Sequence, residues 1–106
     1  MGAKVRAIIK RPDEKYGHVS NISLRLENLQ NIVGGYIETV SITQNTVMIM
    51  NEEGKLLGLE PNMLFCGDMI CGNIIVLGVS DEDFDDLEMS FDVWKKLVDQ
   101  WDNPRR

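Results

Sequence analysis

The sequence predicts an α+β fold: a small mixed, mainly antiparallel sheet, with one helix after the second strand and a C-terminal helix packed on the sheet. Three observations carry that prediction. Residues 4–10, KVRAIIK, alternate with the two-residue period of a half-buried strand. Residues 73–79 are nearly all aliphatic and rich in β-branched side chains, the profile of a strand covered on both faces. Phe91, Trp94, Leu97, Val98 and Trp101 fall on one stripe of a helix.

Each element follows from local chemistry. In the first strand Val5, Ala7 and Ile9 alternate with Lys4, Arg6, Ile8 and Lys10, so its outer face is expected to be mostly basic. Pro12, Asp13 and Gly17 mark residues 11–17 as a polar loop before a short second strand at 18–22. Ser23 is the expected cap of a helix that places Leu26, Leu29, Ile32 and Val33 on one face. Gly34 stops that helix by entering the left-handed region, and Gly35 lets the chain reverse tightly. Residues 36–42 and 47–50 read as a hairpin around the turn TQNT. NEEG, at 51–54, turns again into KLLGL, and Gly58 and Pro61 suggest an irregular connection over 58–68. The last helix is expected over 90–101, with Asp92 and Lys96 paired on its wet side.

Composition narrows the class. The 106 residues are expected to form one domain, residues 1–106, since no repeat or linker divides them. An apolar fraction of 43% and a charged fraction of 26% are ordinary for a globular chain, and no apolar run approaches a membrane span. The start MGAKVRAII lacks the apolar stretch of a secretory signal, so a cytoplasmic location is expected. Cys66 and Cys71 stand in a C-x4-C spacing and His18 is the lone histidine. That set cannot supply two ligand pairs for zinc, so free, buried thiols are expected, with no metal, cofactor or disulfide. The net charge of −6 is uneven: residues 1–25 hold six basic and two acidic side chains, whereas 81–92 hold seven acids and no base. An acidic surface of this kind disfavours direct nucleic-acid binding.

Three segments together, LQNIVGGYIETV at 29–40, NEEGKLLGLEPN at 51–62 and DMICGNIIVLG at 68–78, resemble a known pattern. It is that of the bacterial and phage family of domains of unknown function numbered 3846, and the resemblance spans roughly residues 24–90. It implies a small α+β domain common in phages and mobile elements. It implies no reaction and supplies no catalytic residues. The loop at 11–17 and the 91–101 helix are this chain's own details.

Several constellations invite function. Glu38 shares a strand face with Tyr36, Val40 and Ile42, so it must reach water, face a ligand, or pair with Arg6 or Lys55. Asn51 and Glu53 are explained by turn chemistry or also point into a site. Asp81, Asp83, Asp85 and Asp92 fall at positions 1, 3, 5 and 12 of a calcium loop, but Asp86 stands where a glycine is needed. That run is therefore read as a solvated connection or, alternatively, as a mimic of duplex phosphates. Lys4, Arg6, Lys10 and Arg11, near Tyr16 and His18, combine charge, a stacking ring and donors suited to a nucleotide, or else form a plain solvated face. No phosphate loop, nucleophile elbow or Ser/His/Asp grouping is present, so the chain is not expected to be an enzyme.

The leading expectation is a non-enzymatic phage or mobile-element protein in the host bacterial cytoplasm. It would sequester a small anionic, nucleotide-derived immune signal, as a homodimer without a membrane partner. The expected ligand contacts are Arg6, Lys10, Arg11, Tyr16, His18, Tyr36, Glu38, Asn51 and Glu53. The alternative is an acidic inhibitor whose Asp81, Asp83, Asp85 and Asp86 engage a host nucleic-acid-binding defence protein.

Overall fold

Residues 4–102 are described by the structure, a computed structural model. The elements run β1 Lys4–Lys10, β2 His18–Ser23, α1 Leu26–Val33, β3 Ile37–Thr43, β4 Thr46–Asn51, β5 Pro61–Phe65, β6 Asp68–Cys71, β7 Ile74–Ser80, β8 Asp83–Asp85 and α2 Phe91–Asp102. Five strands line up as β2-β1-β7-β4-β3, and β8 pairs with β7 off this path. β5 and β6 make a separate hairpin. Every pairing is antiparallel. The mixed α+β class and the antiparallel sheet are thus as expected, with α2 packed against it.

β7 holds the centre because its aliphatic run can be buried on both faces. On one face Ile75 and Leu77 join Val5, Ala7, Ile9, Ile22 and Ile49 beneath Leu29 and Val33 of α1. On the other, Ile74 and Val76 join Ile8 and Met48 beneath Trp94 and Val98 of α2, with Met63 and Ile70 from the β5–β6 hairpin. Trp94 is fully buried, and its indole Nε1 donates to the Tyr16 carbonyl at 2.8 Å. Trp101 meets Phe65 edge-on at 4.8 Å and Trp94 at 6.0 Å.

That second layer overturns the expected basic outer face of β1. Ile8 is fully buried and Lys10 is 1% exposed, because α2 and the hairpin cover the side on which they stand. The hairpin itself replaces the irregular connection expected at 58–68. Pro61 sits at the first strand position, where a missing N–H is tolerated, and Cys66 and Gly67 take positive φ at the turn. Cys66 is therefore exposed and Cys71 half-buried, both free, in place of two buried thiols.

Smaller differences have equally local causes. Arg25, not Ser23, occupies the cap of α1, and no side chain caps it. Ser23 instead accepts the Arg25 N–H at its Oγ and the Asn28 amide at its carbonyl. Ser90 Oγ accepts the Val93 N–H and so caps α2. Asp92 pairs with Lys95 at 3.6 Å, one residue short of the expected Lys96. Of the MGAKVRAII start, residues 1–3 lie outside the described residues. No described helix is long and apolar enough to cross a membrane.

Candidate functional site

The junction between α1 and β3 is built around one buried amide. Gly34 takes the left-handed conformation, φ 84°, and the N–H groups of Gly34 and Gly35 both donate to the Gln30 carbonyl. Asn51, at the end of β4, donates from Nδ2 to the Val33 carbonyl at 3.1 Å and accepts the Glu53 N–H at Oδ1 at 2.7 Å. The Glu52 N–H donates to the Tyr36 carbonyl at 2.9 Å. Gly35 leaves room for this amide, because a Cβ on it would stand 2.8 Å from Asn51 Nδ2 and force it to shift. The GGY and NEE segments are thereby clasped together.

Their junction encloses a cleft of about 560 Å³ lined by Gln30, Asn31, Tyr36, Glu52, Glu53 and Leu57, with Gly34, Gly35 and Asn51. Tyr36 is 72% exposed. Among the described residues, no hydrogen bond or ion pair engages its hydroxyl or the carboxylates of Glu52 and Glu53. On the other side of the turn, a smaller hollow of about 160 Å³ includes Glu38, Lys55 and Asp68. Lys55 pairs with Asp68 at 2.6 Å, and that hydrogen bond and charge raise its pKa. Lys55, one of the two expected partners of Glu38, is thus committed elsewhere. Glu38 itself is exposed on the edge strand β3 and reaches water.

The expected basic half of the site is not brought to this cleft. β7 and β4 lie between β1 and β3. Arg6 donates from Nη1 to the Leu87 and Met89 carbonyls at 2.8 and 3.2 Å, which fixes the chain ahead of α2. Lys10 donates from Nζ to Asn62 Oδ1 at 2.5 Å, beneath the hairpin. Burial lowers its pKa, and the charges of Asp102 and Glu14 only partly offset this. Arg11 and His18 both gather around Glu14: the Arg11 N–H donates to Oε1 at 2.9 Å, and His18 Nδ1 lies 2.8 Å from Oε2. Burial pushes the Glu14 carboxyl up, but the bonds from Arg11 and His18 together with their charges leave it below its ordinary value. The Tyr16 hydroxyl donates to Asp99 Oδ1 at 2.9 Å. Arg6, Lys10, Tyr16 and His18 thus have partners at β1, the 11–17 loop and α2, while the Arg11 guanidinium is half exposed and lies 3.9 Å from Glu14 Oε1.

The acidic run is a hairpin, not a plain connection. Asp81 and Glu82 take positive φ in the turn between β7 and β8. Asp85 accepts the Asp86 N–H, and Asp86 accepts the Arg6 N–H at 2.7 Å. Asp81 and Asp83 are exposed, and their carboxylates form no hydrogen bond or ion pair among the described residues. No group of three or more potential metal-ligating side chains is found among the described residues.

Of the expected contacts, Tyr36, Asn51 and Glu53 meet at one cleft, while Glu38 lies in the neighbouring hollow. Gln30, Asn31, Glu52 and Leu57 line the same cleft and were not among the expected contacts, although the LQNIVGGYIETV and NEEGKLLGLEPN segments that carried the family resemblance contain all four. A family model described as Domain of unknown function (DUF3846) matches residues 5–101. Among curated proteins and solved structures, nothing matches the chain.

Proposed function

The chain belongs to the family Domain of unknown function (DUF3846), and on that premise we propose that it is a non-enzymatic binding domain that holds a small ligand in the Tyr36–Glu53 cleft. One observation carries this reading: two segments that gave the family resemblance meet at one cleft, where the chain enters β3 and leaves β4 at the open end of their hairpin. Within them Gly34, Gly35, Asn51 and Gly54 are accounted for by the fold, since a Cβ at Gly54 would stand 2.6 Å from the Cys71 carbonyl oxygen. Tyr36, Glu52 and Glu53 have no such structural duty. The volume lies within the roughly 300–1,000 Å³ range of small-molecule sites.

The reading does not call on β1, where Arg6 and Lys10 are tied to carbonyls and to Asn62 inside the fold. Occupancy at the cleft does not depend on them. In the setting the resemblance implies, a phage or mobile element would use such capture in the host cytoplasm to remove a signalling molecule without turning it over. The edge of β3 offers unpaired backbone groups through which two copies would pair.

Native mass spectrometry of the full chain purified from a bacterial cytoplasm tests the reading. A reproducible small-molecule adduct should appear on the wild type and fall about tenfold in Tyr36→Ala, the weight of losing one aromatic contact. A clean mass, with no thermal shift from a metabolite panel, or conversion of any bound molecule over many cycles, would overturn it.

A second reading is favoured by the exposed carboxylates of Asp81 and Asp83 at the β7–β8 turn: inhibition of a host nucleic-acid-binding protein by charge mimicry. Such binding should weaken steeply with salt and be lost in Asp81→Asn/Asp83→Asn.

A further inference from the structure

We infer that the group entering the Tyr36–Glu53 cleft is an organic cation, an ammonium or guanidinium, and that the cleft discriminates against phosphate. The inference rests on the cleft being the ligand site and adds the charge of what it takes. Its lining carries the Glu52 and Glu53 carboxylates and no Lys, Arg or His. Lys55, the cation next in sequence, is held by Asp68.

The backbone adds the same sign. The cleft abuts the C-terminal end of α1, where the peptide dipoles leave partial negative charge. Of the last four carbonyls of α1, Gln30 accepts from Gly34 and Gly35, Ile32 from the Asn73 amide, and Val33 from the Asn51 amide. The Asn31 carbonyl accepts no bond outside the helix among the described residues, and Asn31 lines the cleft. A donor-only ligand group, with no lone pair of its own, is the chemical complement of such a wall. Tyr36 supplies a ring face for the cation, and Leu57 an apolar surface for the stem that carries it. A phosphate would meet two carboxylates and a helix C-terminus without a counter-charge.

The test uses the full chain and three probes at low salt: agmatine, which carries an ammonium and a guanidinium; adenosine, uncharged; and adenosine 5′-monophosphate, anionic. Amide chemical shifts followed by NMR should move with agmatine at Gly34, Gly35, Tyr36 and Glu53. Affinity should fall about tenfold in Glu52→Gln/Glu53→Gln, whose exposed side chains leave folding intact. Tyr36→Phe should retain binding and Tyr36→Ala weaken it severalfold. If agmatine shifts spread equally over the 81–88 hairpin, attraction is nonspecific and the inference fails. If the nucleotide or nucleoside shifts the cleft and agmatine does not, the charge assignment fails while the cleft remains a site. If all three probes are silent and native mass spectra are clean, the cleft reading fails with it.

Discussion

Asn51 joins two stretches of chain with a single amide group, bonding to Val33 eighteen residues earlier and to Glu53 two residues later. The alternation of a strand and the stop signal of two glycines were readable from residue types. The Asn51–Val33 bond was not, because nothing local tells which helix end a distant amide will meet. Asn51 was read as turn chemistry or also a site residue; its amide holds the turn and the helix end together while the residue lines the cleft. Asn51→Ala should cost about 2–3 kcal/mol by leaving a buried carbonyl without its donor. Gly35→Ala should cost about 1–3 kcal/mol, since its Cβ would displace the same amide from 2.8 Å away. Urea denaturation of the double variant should show a loss about 1 kcal/mol or more smaller than the sum, because both changes break one clasp. Strict additivity would separate the two residues. Glu38 was legible in part: its strand face left water, a ligand or an ion pair open, and an edge position supplies the outlet to water.

The β5–β6 hairpin is the element that residue types concealed, since Gly58 and Pro61 look like breaks when Pro61 is a strand start. Its attachment is a second polar clasp. Asn62 Nδ2 donates to the Lys10 carbonyl at 2.9 Å and the Gly72 carbonyl at 2.8 Å, while its Oδ1 accepts Lys10 Nζ. Periodicity correctly put Lys10 and Ile8 on one side of β1; it could not say that another element covers that side. Asn62→Ala should lower stability by about 2–4 kcal/mol, because a buried ammonium and two carbonyls lose their partner. Lys10→Met in that background should recover part of the loss by removing the ammonium. Lys10 also has a pH signature. Burial depresses its folded pKa below the ordinary 10.5, so between those two values the unfolded chain holds the proton that the folded chain has released. Stability from this residue therefore rises with pH across that interval. The wild type minus Lys10→Met difference, measured by denaturation from pH 8 upward in roughly half-unit steps, should display that rise; a flat difference would mean the amine is solvated.

For the molecule as a whole, the sheet order places β7 between β1 and β4, with side-chain layers on both faces. The legible part was the nature of β7, whose aliphatic run announced a doubly covered strand. Its neighbours were illegible because antiparallel partners are chosen by long-range packing. Hydrogen exchange should be slowest at Ile75, Val76 and Leu77 and fastest in β8 and along the outer edges of β2 and β3. Protection of the outward β3 amides that grows with protein concentration would indicate pairing of two copies, whereas uniform exchange along the sheet would contradict the central place of β7. The partnership of β1 with β7, Ile8 opposite Val76, also governs how the molecule is made. Arg6 and its anchors at Leu87 and Met89 belong to the same late meeting. A ribosome emits β1 well before β7, so the nascent strand must wait with one flank unsatisfied. Chaperone dependence during synthesis, and rapid degradation of chains stalled before β7 emerges, follow from that wait.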